Sequence, residues 1–126
     1  MQLIYSIHEK ALEAANDFKN AETRLIDLLQ QVDHHRVFEQ LKYSSLHAYV
    51  IEGLGIPSGT ACGLIAVARK AKEIPELRAA IAEGIVSVSQ AKRITSVITP
   101  ANQEIWIEKA KTLSQEDLVE QVAIEN

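Results

Sequence analysis

Apolar residues recur in this chain at steps of three and four from the first turn onward. Ile4, Ile7, Ala11, Ala14, Phe18, Ala21, Leu25, Leu28 and Val32 follow one another without a break. That is the a/d seam of a four-heptad helix and predicts one helix over about residues 2–32, the first part of a segment 1–35. At 1.5 Å per residue it would be roughly 45 Å long. A compact domain of this size is only about 35 Å across. The helix therefore protrudes, kinks near Asn16–Asn20, or packs on a second copy of the chain.

The remaining pattern is a run of shorter helices with tight links. A short helix is expected over 36–41, followed by a turn at Tyr43-Ser44-Ser45. Ser45 can cap a helix over 46–54, Gly55 suits a left-handed turn, and Pro57 blocks continuation. Ser58 offers its hydroxyl as the cap of a helix reaching Lys72. Two helices around a glycine turn, spanning 43–72, form the outline of a helix-turn-helix. Beyond it, Pro75 and Glu76 open a helix that stops at Gly84, and Ser87-Val88-Ser89-Gln90 forms a capping box. Thr99-Pro100 caps a helix carrying Trp106, and Ser114–Asp117 starts a last one through Leu118 to Ile124. No stretch alternates as a strand does. The expected fold is a single all-α domain over 1–126, with 75–126 supplying the C-terminal helices.

Composition narrows the function. Cys62 is the single cysteine, which excludes an internal disulfide and a multi-cysteine metal site, and a small buried apolar role is expected of it. No apolar run is long enough for a membrane span, and no basic-then-apolar leader opens at Met1, so no membrane partner and a cytoplasmic location are expected. The net charge of −4 is uneven. Residues 41–95 carry seven basic against four acidic side chains, whereas both flanks are acidic. The modest basic excess falls on the helix-turn-helix and its neighbour.

The residues of this region are similar to those of a known family. YSSL at 43–46, LG-x-x-x-G-x-A at 54–61, RKAKEIPEL at 69–77, EG-x-x-S-x-S at 83–89 and TP-x-N at 99–102 resemble the helical domain preceding the nuclease in bacterial HNH endonuclease-family proteins. The resemblance covers about Leu25 to Val122. From Gly53 onward the chain is also similar, more weakly, to the central helix-turn-helix domain of ParB-type partition proteins. The resemblance implies an all-helical, DNA-associated domain. The family's metal-binding His and Asn would lie in a following ββα unit, before which this sequence ends, so no nuclease activity is expected of it. The chain departs from the pattern at several positions. Those matching Gly63, Leu64 and Ala66, and also His34 and His35, are commonly arginine in the family. The position matching Lys42 is usually glycine.

Loss of those arginines removes phosphate contacts and guanine readers together. Basic side chains remain at Arg69, Lys70, Lys72, Lys92 and Arg93, where backbone contact is the expected role. Ser58, Gly59 and Thr60 would approach phosphate at a helix N-terminus. The leading expectation is a non-catalytic module that binds duplex DNA weakly and non-specifically. The alternative is a protein-interaction or dimerisation module without a DNA surface, with Ile4, Ile7, Ala11, Ala14, Phe18, Ala21, Leu25 and Leu28 as the pairing face. Gly59-x-x-x-Gly63 allows close approach of a partner helix or a DNA backbone, or tight packing against residues 48–51, and internal packing is the favoured reading. No metal site is expected, because adjacent His34 and His35 point about 100° apart on a helix. No cofactor is expected either, as the chain has no phosphate-binding glycine loop or nucleophile elbow.

Overall fold

A computed structural model describes residues 1–126. The chain is all-helical: α1 Gln2–His34, α2 Val37–Gln40, α3 Leu46–Ala48, α4 Ser58–Glu73, α5 Pro75–Ala82, α6 Val88–Ile94, α7 Gln103–Thr112 and α8 Gln115–Glu125. No helix is long and apolar enough to cross a membrane.

The centre of the domain is α4. Ala61, Gly63, Leu64, Ile65, Val67, Ala68 and Ala71 are all buried, so apolar contact runs almost round the helix. It packs on α1, α3, α5 and α6. The small side chains let these neighbours approach closely. Ile74, Leu77, Ile94, Ile98 and Leu118 complete the core from the C-terminal helices. Trp106 on α7 is buried, with the Lys109 ammonium 4.6 Å from its ring centre.

α1 runs unbroken, without the kink that was one expectation, and it protrudes. Residues 1–21 are all exposed, a projection of about 30 Å. Only its last third meets the domain. Ile26 and Leu29 are 1% exposed there, whereas Leu28 is 44% exposed. Leu25 and Val32 pack at the edge of the core. The core-facing pair of α1 is thus rotated by about 100°, one residue, from the seam pair Leu25 and Leu28. Two ion pairs fix it: Arg78 donates to Asp27 at 2.7 Å from α5, and Arg69 to Asp33 at 3.1 Å from α4. The Gln30 amide also donates to the Ala68 carbonyl at 2.8 Å.

Local signals explain most of the other boundaries. The Ser45, Ser87 and Ser114 hydroxyls accept from the backbone N–H groups of Ala48, Gln90 and Asp117. Gln90 completes the capping box by accepting from the Ser87 N–H. Ser58 is not a cap: Pro57 holds the last extended torsion, and Ser58 is the first helical residue. Thr99-Pro100 likewise precedes its helix. Asn102 caps α7, and its side chain ties the turn by accepting from the Thr99 N–H and donating to the Val97 carbonyl. After α3 the backbone widens into a π-turn, Tyr49–Gly53. Gly53 sits in close quarters there: a Cβ would lie 3.1 Å from the Tyr43 hydroxyl oxygen and 3.3 Å from the Tyr49 ring, so a side chain needs those rings to shift by a few tenths of an ångström.

α2 and α5 end in the same way, with different residues. In each, the first left-handed residue and its successor bond back to the helix: Lys42 to Glu39 and Tyr43 to Phe38, Gly84 to Ile81 and Ile85 to Ala80. Gly84 takes φ +76 and Lys42 takes φ +73. Glycine enters that region freely, whereas a side chain costs about 1–2 kcal/mol. Lys42→Gly is therefore expected to raise stability by about 1 kcal/mol, read as a higher denaturation midpoint at unchanged slope.

Candidate interaction surfaces

The fold separates the residues singled out for DNA contact. Ser58, Gly59 and Thr60 are exposed at the start of α4, and nothing lies within 4 Å of a Cβ built on Gly59. Arg69, Lys70 and Lys72 lie near its other end, about 16 Å away along the axis. Arg69 is held by Asp33 through two donated hydrogen bonds, which pull the Asp33 carboxyl below its usual range. Lys70 pairs with Glu73 at 3.3 Å. Two of the three cations at this end are thus already matched by carboxylates. Lys72 has no ion pair and lines a polar hollow of about 520 Å³ with His34, His35 and Asp27.

Lys92 and Arg93 belong to α6. Arg93 donates to the Gln115 side chain at 3.2 Å. The Lys92 stem lies across Gly63, where an added Cβ would be 2.9 Å from Lys92 Cδ. Gly63 thus serves internal packing, with the α6 lysine as its neighbour and not residues 48–51. Leu64 is 4% exposed and faces the core. The solvent-facing stripe of α4 runs through Cys62, Ala66 and Arg69. Cys62 is exposed, contrary to the buried role expected of it, and its Sγ lies 3.3 Å from His47 Nε2 across the Gly55 turn. Residue 62 lies on the solvent-facing side of α4, which its apolar neighbours in sequence conceal. No group of three or more His, Cys, Asp or Glu is close enough to share a metal ion.

The second surface is the projecting part of α1. Ile4, Ile7 and Phe18 are 65%, 59% and 65% exposed, on one stripe with the small Ala11, Ala14 and Ala21. Lone exposed apolar side chains are ordinary, but a continuous stripe marks a contact surface. Leu25 belongs instead to the rim of the core, and Leu28 lies just beyond it. The stripe is wider than the a/d seam: Tyr5 and Leu12 stand to one side of it, 60% and 52% exposed. Where α1 meets the domain, a groove of about 400 Å³ opens between Phe18–Glu22 and the α5–α6 loop. Ile81, Ile85 and Val88 form its far wall, and burial raises the Glu22 carboxyl above its ordinary range. No family model, curated protein or solved structure matches this chain.

Proposed function

We propose that this protein is a non-catalytic self-association module, joined to a second copy through the projecting part of α1. The observation that carries this reading is the exposed stripe Ile4–Ile7–Ala11–Ala14–Phe18–Ala21 on a helix that its own domain does not cover. In proteins most helical stability comes from packing of an amphipathic face, and this part of α1 packs its apolar stripe on nothing in its own domain. A second stripe of the same kind supplies that packing, with the alanines allowing close approach.

Light scattering and circular dichroism test the reading together. The wild-type mass is expected at twice the 13.9 kDa of the chain. Phe18→Glu places a charge in the desolvated seam and is expected to give a monomer. Phe18 is outside the core, so the domain itself should stay folded. A wild-type protein that is monomeric at high micromolar concentration overturns the reading.

Weak, sequence-independent contact with duplex DNA is a second reading. It is supported by the exposed first turn of α4, which has no side-chain cap on its N–H groups, and by the resemblance to the HNH-associated helical domain. With Arg69 and Lys70 already paired, few phosphates are left to neutralise. A fluorescence-anisotropy titration at low ionic strength is expected to show binding with a logarithmic salt slope of about −2. No binding at tens of micromolar protein removes this reading. Tight binding of one sequence at physiological salt shows specific base readout instead.

A further inference from the structure

We infer that two copies pair with their α1 helices antiparallel, in the register that sets Ala11 of each against Ala14 of the partner subunit, and that each copy seats its Tyr5 in the other's groove beside Phe18. This rests on the self-association reading and adds its geometry.

Charge selects the register. With Ile4, Ala11, Phe18 and Leu25 at a and Ile7, Ala14, Ala21 and Leu28 at d, the flanking g positions carry Lys10, Asp17 and Arg24, and Glu22 stands at e. In a parallel, in-register pair each g residue faces the partner's e residue five places on. Asp17 would then oppose the partner's Glu22, twice, with no compensating pair. An antiparallel pair brings g against g. With Ala11 opposite the partner's Ala14, Lys10 faces the partner's Asp17, and the two-fold axis repeats the pair. A shift of one heptad in one direction sets Lys10 against the partner's Lys10. A shift in the other sets Lys10 against the partner's Arg24 and Asp17 against the partner's Asp17. Among these arrangements only the first sets no like charges against each other and pairs Lys10 with Asp17 twice.

Packing in that register is also complementary. Ile4 meets the partner's Ala21, Phe18 meets the partner's Ile7, and alanines face one another at the centre. Every layer except that of Phe18 and Ile7 has an alanine on at least one side, so the helices can approach closely at the centre.

The groove supplies the second observation. Tyr5, Leu12 and Ile26 are separated by seven and fourteen residues and so share one side of α1. Ile26 uses that side to meet its own domain, whereas Tyr5 and Leu12 have nothing to cover them. A parallel pair leaves both in solvent. In the antiparallel register Tyr5 comes level with position 20 of the partner, beside the groove between Phe18–Glu22 and Ile81–Ile85. Each aromatic side chain buried there removes on the order of 150–250 Å² from water, a substantial addition to a short two-helix contact.

Distance measurements between spin labels test the arrangement. Cysteines for labelling are placed at Ser6, Glu13 and Asn20, all on the outer side of α1, in a Cys62→Ser background. In the antiparallel register the Glu13 pair is nearly level, whereas the Ser6 and Asn20 pairs are offset along the axis by about 20 Å. The Glu13 distance is therefore expected to be the shortest. Equal distances at all three positions mean a parallel pair and overturn this inference while leaving self-association standing. The absence of any interspin distance overturns both. Asp17→Lys is expected to weaken dimerisation about tenfold, and Lys10→Asp in the same chain to restore it. A double variant no tighter than the single one overturns the charge register. Tyr5→Ala is expected to weaken dimerisation without altering the monomer, and an unchanged dissociation constant overturns the groove contact.

Discussion

Leu29→Ala is expected to cost the fold about 2–5 kcal/mol, whereas Leu28→Ala costs less than about 1 kcal/mol. The two residues are neighbours of the same type, and only their direction differs. Leu29 is 1% exposed among the residues that join α1 to the rest of the core, and its truncation leaves a cavity. Leu28 is 44% exposed and loses mainly solvent-facing surface. Urea denaturation at low micromolar protein separates the two, provided the slope is unchanged. A larger loss at Leu28 than at Leu29 would mean that the a/d seam itself faces the core, and the rotation of α1 described above would be wrong.

That rotation marks the boundary of what the hydrophobic pattern conveys. The three–four spacing from Ile4 to Val32 defines the extent of α1, because no polar residue or breaker interrupts it. It does not define the core-facing side, because α1 carries two overlapping stripes. Ile26 and Leu29 bind the domain, and the a/d seam beside them continues into the exposed segment. Counting steps of three and four follows the longer stripe and passes over the shorter one. The caps at Ser45, Ser87 and Ser114 were legible because each serine stands where the helical pattern resumes, with no proline before it to take the boundary position. Ser58 misleads because Pro57 already holds an extended torsion and takes the boundary position.

Other features depend on contacts distant in sequence and leave little local signal. The Asp33–Arg69 and Asp27–Arg78 pairs join residues 36 and 51 apart, and each aspartate alone resembles an ordinary polar-face charge. They decide how much of the basic surface stays free, which a net charge does not report. The left-handed turn at Lys42 falls in this class too, because a lysine carries no local sign of a positive φ. A helix-period pattern likewise cannot distinguish the π-turn at Tyr49–Gly53, where Tyr43 lies close to Gly53, from an α-turn.

Arginine substitutions on its two sides give the most severe test of α4. Leu64→Arg is expected to destabilise the protein by about 4 kcal/mol or more, enough to unfold a domain of ordinary stability. Leu64 is 4% exposed in the core, so the change removes its packing and buries a guanidinium with no carboxylate beside it. Ala66→Arg is expected to change stability by less than about 0.5 kcal/mol, because Ala66 lies on the solvent-facing stripe between Cys62 and Arg69. The same variant reports on the DNA reading. If the open stripe of α4 approaches phosphate, the added arginine tightens binding at low salt and steepens the logarithmic salt slope by about one. Thermal denaturation of both variants, followed by anisotropy on Ala66→Arg, makes the comparison. A Leu64→Arg protein as stable as wild type would show that α4 presents this side to solvent and is not the central helix of the core. A stable Ala66→Arg protein with an unchanged salt slope would place any DNA contact away from the exposed stripe of α4.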